Sequence, residues 1–581
     1  MAKTVNLIEP ATLLFQQGKL GARELEQVRR RQERLGIPQH RAIIELSYAS
    51  EEDTWRALAE IHHIEFVDLA SHPPTPEALK AVPVKFIFHY HMVPIAVEGE
   101  LLTIAFSELP KPMELGNLRL LLSKRIKVVL STPSEVHALL KKQFGLGAGT
   151  IQKLREDRSV SDVGQEIVFD VQTNEDGVVV DATIANFVDQ ILIEALRLQA
   201  TDIHIEPYYA NIGLRYRIDG IMQSVPVPEG IRELHGAIVS RLKIMAGLNI
   251  AEKRLPHDGR IAMKTNGEDY DLRVSIIPTK YGEGVVLRIL GRQSLFLDMG
   301  QLGMEPTHEK LFGEITQLPQ GLVLMTGPTG SGKTTTLYAA LAHANDTTRK
   351  IITIEDPVEY QLEGVNQIQV REDIGLTFAS GLRSVLRHDP DIVLIGEIRD
   401  ANTAEIAVRA SQTGHLVLST LHTNDSISAV TRLLEMKIEP FLVGSSLVSS
   451  IAQRLTQRVC LHCRAEDPEI DPDLRTEMSG DLEIDPAEVR AFKGTGCVEC
   501  NQRGYRGRVA IYEFFLMTDE IADLIQPGVR TGDLRRLARK HGWRSLRENA
   551  WRKVQAGLIP ISEQQRLTRQ LNLRDWLGQQ D

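Results

Sequence analysis

Gly327-Pro328-Thr329-Gly330-Ser331-Gly332-Lys333-Thr334 fits G-x-x-x-x-G-K-[ST] at every fixed position. Glycines at this spacing let backbone N–H groups close around phosphate oxygens, and a following helix N-terminus adds partial positive charge. Lys333 would reach β- and γ-phosphates, and the Thr334 hydroxyl would hold Mg²⁺. The apolar run Leu322-Val323-Leu324-Met325 reads as a strand, and Thr335 to Leu341 reads as a helix. Strand, glycine loop and helix are the context the motif needs, and a chance glycine-rich turn lacks it. A nucleoside triphosphate site is therefore expected at Gly327, Pro328, Thr329, Gly330, Ser331, Gly332, Lys333, Thr334 and Thr335.

Three further segments end predicted strands, where ligands bind in open α/β sheets. Ile354-Glu355-Asp356-Pro357-Val358-Glu359 places three carboxylates in five residues; they could hold Mg²⁺ or a water, or form a solvated acidic turn. Asp391-Ile392-Val393-Leu394-Ile395-Gly396-Glu397 has the Walker B pattern, with Gly396 where most phosphate-loop ATPases carry Asp. Glu397 is then expected to orient the attacking water, assist the metal, or both; the water role is favoured. In Gly414 to Asp425, His415 and His422 bracket a buried strand. Either imidazole could donate to a γ-phosphate oxygen, and either could be structural. Arg215, Arg217, Arg273 and Arg288 lie on earlier strands, and Arg383, Arg387 and Arg399 flank the Walker B strand. An arginine can stabilise charge on a transferred phosphoryl group; spacing alone does not choose among these.

The four cysteines form two pairs, Cys460-x-x-Cys463 and Cys497-x-x-Cys500. Two such knuckles suit tetrahedral Zn²⁺ held by four thiolates in a structural site. Reduced thiols without metal and a redox pair are the alternatives.

These groups need several domains to position them, because 581 residues exceed a single core. Hydrophobic content of 42% and charged content of 25% are those of ordinary globular protein. No apolar stretch approaches a membrane span, and Met1 to Phe15 does not read as an export signal, so a cytosolic protein is expected. The net charge of −10 disfavours a nucleic-acid coat, and no nucleic-acid partner is expected. Residues 1–144 read as an α+β module, with helices from Leu13 to Val28 and from Ala42 to Leu58 and strands at Phe66–Leu69 and Leu101–Phe106. Glycine clustering from Gly145 marks a flexible linker to residue 177. A second α+β domain, 178–300, carries a helix from Phe187 to Leu198 and strands at 202–207, 212–218, 270–275 and 285–290. The phosphate-loop domain, 301–455, alternates short apolar strands with helices, the α/β signature. A tetracysteine module, 456–515, and a helical region, 516–581, complete the chain.

At this point the residues resemble a family. Gly327–Thr335, Glu355–Glu359, Gly381–Asp391, Gly396-Glu397-Ile398-Arg399-Asp400 and Thr413–Asn424 look like the Walker A, Asp box, Walker B and His box segments of the secretion-traffic ATPases of type II secretion and type IV pilus systems. Asp202-Ile203-His204-Ile205-Glu206-Pro207, Arg217-Ile218-Asp219-Gly220 and Asp258-Gly259-Arg260 resemble the family's second domain, and the cysteine pairs followed by Gly504-Tyr505-Arg506-Gly507-Arg508 resemble its zinc module. The likeness runs from about Val178 to Thr568.

The resemblance implies a RecA-like motor domain with a zinc-binding insertion, behind an N-terminal docking module and an α+β second domain. It implies a homohexamer that hydrolyses ATP with Mg²⁺ on the cytoplasmic face of the inner membrane. That motor would drive pilus or pseudopilus assembly through platform and docking proteins. It makes Glu397 the catalytic glutamate, sets Glu359 and Glu355 near metal or water, and raises His415 and His422 to active-site residues. Arg217, Arg273 and Arg288 become candidates for closing the nucleotide site. The zinc module favours assembly over retraction, and Tyr360-Gln361-Leu362-Glu363-Gly364-Val365 leans toward type II secretion. Some relatives bind cyclic di-GMP at the N-terminus, and Leu14-Phe15-Gln16-Gln17-Gly18-Lys19-Leu20 partly fits that motif. Glu9 stands where arginine is expected and Ser47 where glycine is, which disfavours that ligand. Two other readings are a conjugation-type nucleic-acid translocase, which the acidic charge disfavours, and an ATP-binding scaffold without productive turnover, which the carboxylates disfavour.

Overall fold

The computed structural model describes residues 9–148, 182–228, 230–265, 268–291 and 298–568. The chain divides into two compact units. One comprises residues 1–216, 222–261 and 273–288, the other residues 217–221, 262–272 and 289–581.

The first unit opens with helices Pro10–Gln16, Ala22–Leu35, Gln39–Glu45 and Glu51–Ile61. Their apolar faces meet at Ala11, Leu14, Val28, Ile43 and Ala57. The continuous helix expected from Ala42 to Leu58 is broken in two. Ser47 adopts φ 56°, outside the right-handed helical region, and the Ser50 hydroxyl caps the next helix by accepting the Asp53 N–H. Strands β1 (Glu65–Phe66), β2 (Met92–Glu98), β3 (Leu101–Phe106) and β4 (Arg125–Leu130) pair in the order β1-β4-β3-β2. β1 is shorter than the expected run to Leu69. The Asp68 carboxylate accepts from the Ala70 N–H at 2.8 Å and the Ser71 hydroxyl at 2.6 Å, a local turn that competes with the ladder.

The linker expected from Gly145 starts later. Leu146 donates its N–H to the Pro226 carbonyl at 2.9 Å, and Leu146 and Ala148 are buried. Lys141, on helix Pro133–Phe144, pairs with the buried Glu194 of helix Ala182–Arg197. Arg197 Nε joins the same carboxylate at 2.9 Å. The rest of that expected linker, 149–177, lies outside the described residues.

Strands β5 (Ala200–Pro207), β6 (Ile212–Ile218), β7 (Ile221–Val225), β8 (His257–Thr265), β9 (Glu268–Thr279) and β10 (Gly282–Gly291) form a six-stranded sheet in the order β7-β6-β5-β10-β9-β8. Along β6, Ile212, Leu214, Tyr216 and Ile218 are buried while Arg215 and Arg217 take the opposite face. Arg273 likewise alternates with buried Leu272 and Val274. This period of two assigns the arginines to the polar face.

In the second unit, β11 (Gly321–Thr326), β12 (Ile351–Glu355), β13 (Val365–Gln369), β14 (Ile392–Ile395), β15 (Leu416–Leu421) and β16 (Leu447–Val459) precede the short hairpin β17 (Arg464–Glu466) and β18 (Phe492–Gly494), then β19 (Tyr505–Leu516). The large sheet has the order β13-β12-β14-β15-β11-β16-β19. Its pairings are parallel except β16 with β19. β11, β12, β14 and β15 are buried along their full length. Apolar runs of this kind, covered on both faces, are what a parallel sheet requires. The expected boundaries at 455 and 515 shift in consequence. β16 runs on to Val459 and pairs with β19 from Ser449↔Leu516 to Val459↔Tyr505, so β19 completes the motor sheet instead of belonging to the cysteine module. Among the described residues no helix is long and apolar enough to cross a membrane.

Candidate active site

β11 ends at Thr326, and the helix Lys333–Ala344 begins on the motif lysine itself. Thr334 and Thr335 therefore lie in its first turn, whose N–H groups have no intrahelical acceptor. Thr334 is exposed, so its hydroxyl is accessible to a cation. Gly327 and Gly332 take φ values of 143° and 88°. A Cβ on Gly327 would stand 2.6 Å from the Gln453 carbonyl oxygen, and one on Gly332 would stand 2.8 Å from Gln453 Nε2. β16 thus braces the loop from below through Gln453. Gly327→Ala is expected to lower stability by about 1–3 kcal/mol, because it combines left-handed strain with a backbone clash. Gly330→Ala has φ 78° but open space around it and should cost less. Urea midpoints of the two variants check the order.

Lys333 is buried, and its Nζ donates to the Gly327 carbonyl at 2.8 Å and the Pro328 carbonyl at 3.1 Å. Burial pushes its pKa down to about 8, against the raising influence of Glu397. Glu397 follows β14 through Gly396, whose N–H donates to the Ile354 carbonyl at 2.8 Å. One Glu397 oxygen accepts from Arg399, and the other lies 3.2 Å from His422 Nε2. Burial pushes this carboxyl up, but Arg399 and His422 outweigh it and hold the group below its ordinary value. Arg399 also reaches Asp356 at 3.6 Å, tying the acidic segment after β12 to Glu397.

The other expected residues divide. Glu355 is buried, with one oxygen accepting from Thr353 Oγ1 at 2.6 Å and Gln367 Nε2 at 3.2 Å, and the other from the Tyr338 hydroxyl. Both oxygens are engaged by partners from β12, β13 and the phosphate-loop helix. The backbone of Glu359 and Tyr360 lies close enough to the same Tyr338 hydroxyl to favour its ionised form, against the larger effect of burial, which places Glu359 at the rim of that network.

The two histidines separate. β11 and β15 are parallel with Gly321↔Leu416 and Thr326↔Leu421, so His422 lies beside the phosphate loop and His415 at the far end of the strand. Seven residues of strand span about 23 Å. His415 Nδ1 instead meets the Ala410 carbonyl at 3.1 Å, at the end of helix Ala401–Ser411. A contact between His415 and a triphosphate in this chain's own loop is thereby ruled out, and its part is that of a helix C-terminal partner.

On the six-stranded sheet, Arg288 Nε bonds Asp202 at 3.0 Å, and Arg217 Nη1 donates to the Gly220 carbonyl at 3.1 Å. Arg273 stands on β9, on the face opposite Leu272 and Val274. The sequence pattern drew attention to Asp356 among the three carboxylates at the end of β12, but not to Tyr338 or Gln453. For Gln453 the only signal was a polar residue interrupting a long strand.

The cysteine sulfurs converge from both ends of the insertion. Cys460–Cys497 and Cys463–Cys500 are each 3.8 Å apart and Cys497–Cys500 3.7 Å. All four ligand atoms lie within 4.8 Å of one another. A tetrahedron with Zn–S bonds of about 2.3 Å has edges of about 3.8 Å, so the donor set fits Zn²⁺. The N–H groups of Gly496, Cys497 and Gly504 donate to these sulfurs at 3.3, 3.2 and 3.2 Å, a second layer suited to thiolates.

A family described as "Type II/IV secretion system protein" matches residues 178–566, and an MshEN domain matches residues 62–149. The type II secretion system protein HxcR of Pseudomonas aeruginosa is 48% identical over 413 residues, 71% of this chain and 82% of that protein. The type IV pilus assembly ATPase PilB of Myxococcus xanthus is 38% identical over 560 residues, 95% of this chain and 97% of that one. The type II secretion system protein E of Xanthomonas campestris pv. campestris is 36% identical over 567 residues, with 96% and 97% covered.

Proposed function

Because the chain belongs to the type II/IV secretion system protein family, whose secretion and pilus-assembly ATPases form an ATP-hydrolysing class, we propose that it is a hexameric motor on the cytoplasmic face of the inner membrane. Its turnover would drive pseudopilus or pilus assembly through a platform protein. The type II branch is favoured because HxcR and several type II secretion proteins E are among the relatives matched; over near-complete spans identity does not separate the branches, 36% to the Xanthomonas protein and 38% to PilB. Residues 1–144 would dock the motor, 178–300 would close the nucleotide site, and the cysteine insertion would hold structural zinc.

The observation that carries this reading is the Glu397 carboxylate. His422 and Arg399 hold it at the end of β14, and its charge reaches Lys333 in the phosphate loop. In the proposed reaction the loop glycines and the first-turn N–H groups of Lys333, Thr334 and Thr335 grip the phosphate chain. Lys333 leaves its two loop carbonyls for the β- and γ-oxygens. The Thr334 hydroxyl would hold Mg²⁺, which neutralises charge on those oxygens when bound. Glu397 orients the attacking water and accepts its proton, and His422 keeps the carboxylate aimed. Arg217, Arg273 and Arg288 would supply positive charge from the six-stranded sheet of the same or an adjacent subunit.

Sedimentation and turnover measured together test the motor. Mg²⁺-dependent ATP hydrolysis per protomer is expected to rise as the hexamer forms, and the protein should co-purify with an inner-membrane platform protein of its own cell. A folded protein that neither binds nor hydrolyses Mg·ATP at any concentration overturns the proposal.

A further inference from the structure

Arg454 sits on β16, one strand to one side of β11, while β15 lies on the other side. Its guanidinium crosses the end of β11. Nη2 donates to the Asn424 carbonyl, beyond β15, at 2.6 Å, and Nη1 donates to the Gln453 carbonyl at 3.0 Å. The crossing occurs at the root of the phosphate loop, since a Cβ on Gly327 would stand 3.0 Å from Nη1. Asn424 is two residues from His422, whose Nε2 meets Glu397. A second strap parallels the first, with the Thr326 hydroxyl donating to the Asp425 carbonyl at 3.3 Å. The far side of this segment is held as well. The Asp425 carboxylate accepts from the Ser428 N–H and pairs with Arg535, both at 2.7 Å.

Among the described residues Arg454 forms no ion pair; both its bonds go to backbone carbonyls on either side of β11. The carboxylates of Glu513 and Asp425 act on its charge without bonding it, and burial outweighs them; a half-buried charge with no direct carboxylate partner is costly to keep for stability alone. A planar fork donating in two directions fixes the separation of two carbonyls more rigidly than a lysine ammonium on its flexible stem.

We propose that Arg454 is a positioning residue for hydrolysis, setting the His422–Glu397 pair in register with the root of the phosphate loop. The inference rests on the ATPase reading above and adds a residue to it. Arg454 acts through the Asn424 carbonyl and not on the nucleotide. A misplacement of about 1 Å in such a pair lowers turnover by up to about 100-fold.

The full-length protein carrying Arg454→Met, Arg454→Lys, His422→Ala or Arg454→Met with His422→Ala separates the possibilities. Arg454→Met should lower kcat by roughly 10- to 100-fold, with KM and the affinity for a fluorescent Mg·ATP analogue within about threefold. Arg454→Lys should recover part of the loss, and if the Met variant does not fold, Lys alone should show a smaller drop in kcat at unchanged affinity. In the His422→Ala background the Arg454 change should lower kcat no further than about twofold, because one residue works through the other. The proposal fails if kcat of the Arg454 variants stays within twofold of the natural protein, if the two losses multiply, or if affinity falls in step with turnover. Absence of turnover in the natural protein would count against the ATPase reading instead.

Discussion

Glu397→Gln is expected to reduce Mg·ATP turnover by roughly 10²- to 10⁴-fold, the range a lost general base produces, while nucleotide binding stays within about threefold. The amide has the shape of the carboxylate and keeps one oxygen for Arg399. It cannot take a proton from water, and it presents an N–H₂ group where His422 Nε2 now meets an oxygen at 3.2 Å. The carboxylate suits a base in its present setting because Arg399 and His422 keep it ionised despite its burial. The phosphate loop is untouched by the substitution, and Lys333 loses only a neighbouring charge, which is why binding should survive. Turnover assays paired with stoichiometric binding of a fluorescent ATP analogue check both halves. Turnover near the natural level would move the base elsewhere, with Asp356 the next carboxylate along the Arg399 bridge.

That chemistry was legible because its parts are local in sequence. The phosphate loop carries its own strand and helix, and the buried parallel strands read as unbroken apolar runs that end in the residues of interest. What long-range pairing decides was hidden. His415 and His422 flank the same strand at equivalent distance, and only the register of β15 against β11 shows which one shares an end with the loop. Glu355 looked available beside Glu359 until its partners were known; Tyr338 comes from the phosphate-loop helix and Gln367 from β13. β19 follows β16 only after a 45-residue insertion, 460–504, and no local pattern joins the two strands. β8 was missed because its alternation runs between half-buried and exposed residues, with Ile261 alone fully buried, so few strongly apolar side chains mark it. Ser47 and Asp68 each end an element by choosing a local backbone solution over a longer helix or strand, a choice propensity cannot foresee.

Paired replacement of Cys497 and Cys500 by Ser is expected to release one Zn²⁺ per chain and to lower the melting temperature by several degrees. The four sulfurs come from the two ends of the 460–504 insertion, and within it the described partners are a short hairpin, β17 with β18, and a small core around Met478, Val489 and Ala491 that leans on Trp551 and Val554. A loop of this length with so little apolar surface relies on its crosslink, and zinc binding supplies about 10–16 kcal/mol to comparable small modules. The effect should travel. Cys460 follows the end of β16, and its N–H bonds the Gly504 carbonyl just before β19, so freeing the knuckle loosens the end of that strand pair. Six residues upstream on β16 stands Arg454, with Gln453 bracing the phosphate loop beside it. A moderate fall in turnover, smaller than that of Glu397→Gln, should therefore accompany the metal loss. Metal analysis, thiol titration and calorimetry on the full-length protein decide the matter. A purified chain free of metal, with four reactive thiols and an unchanged melting temperature in the double variant, would leave the cysteines as packing residues and remove the crosslink from the account.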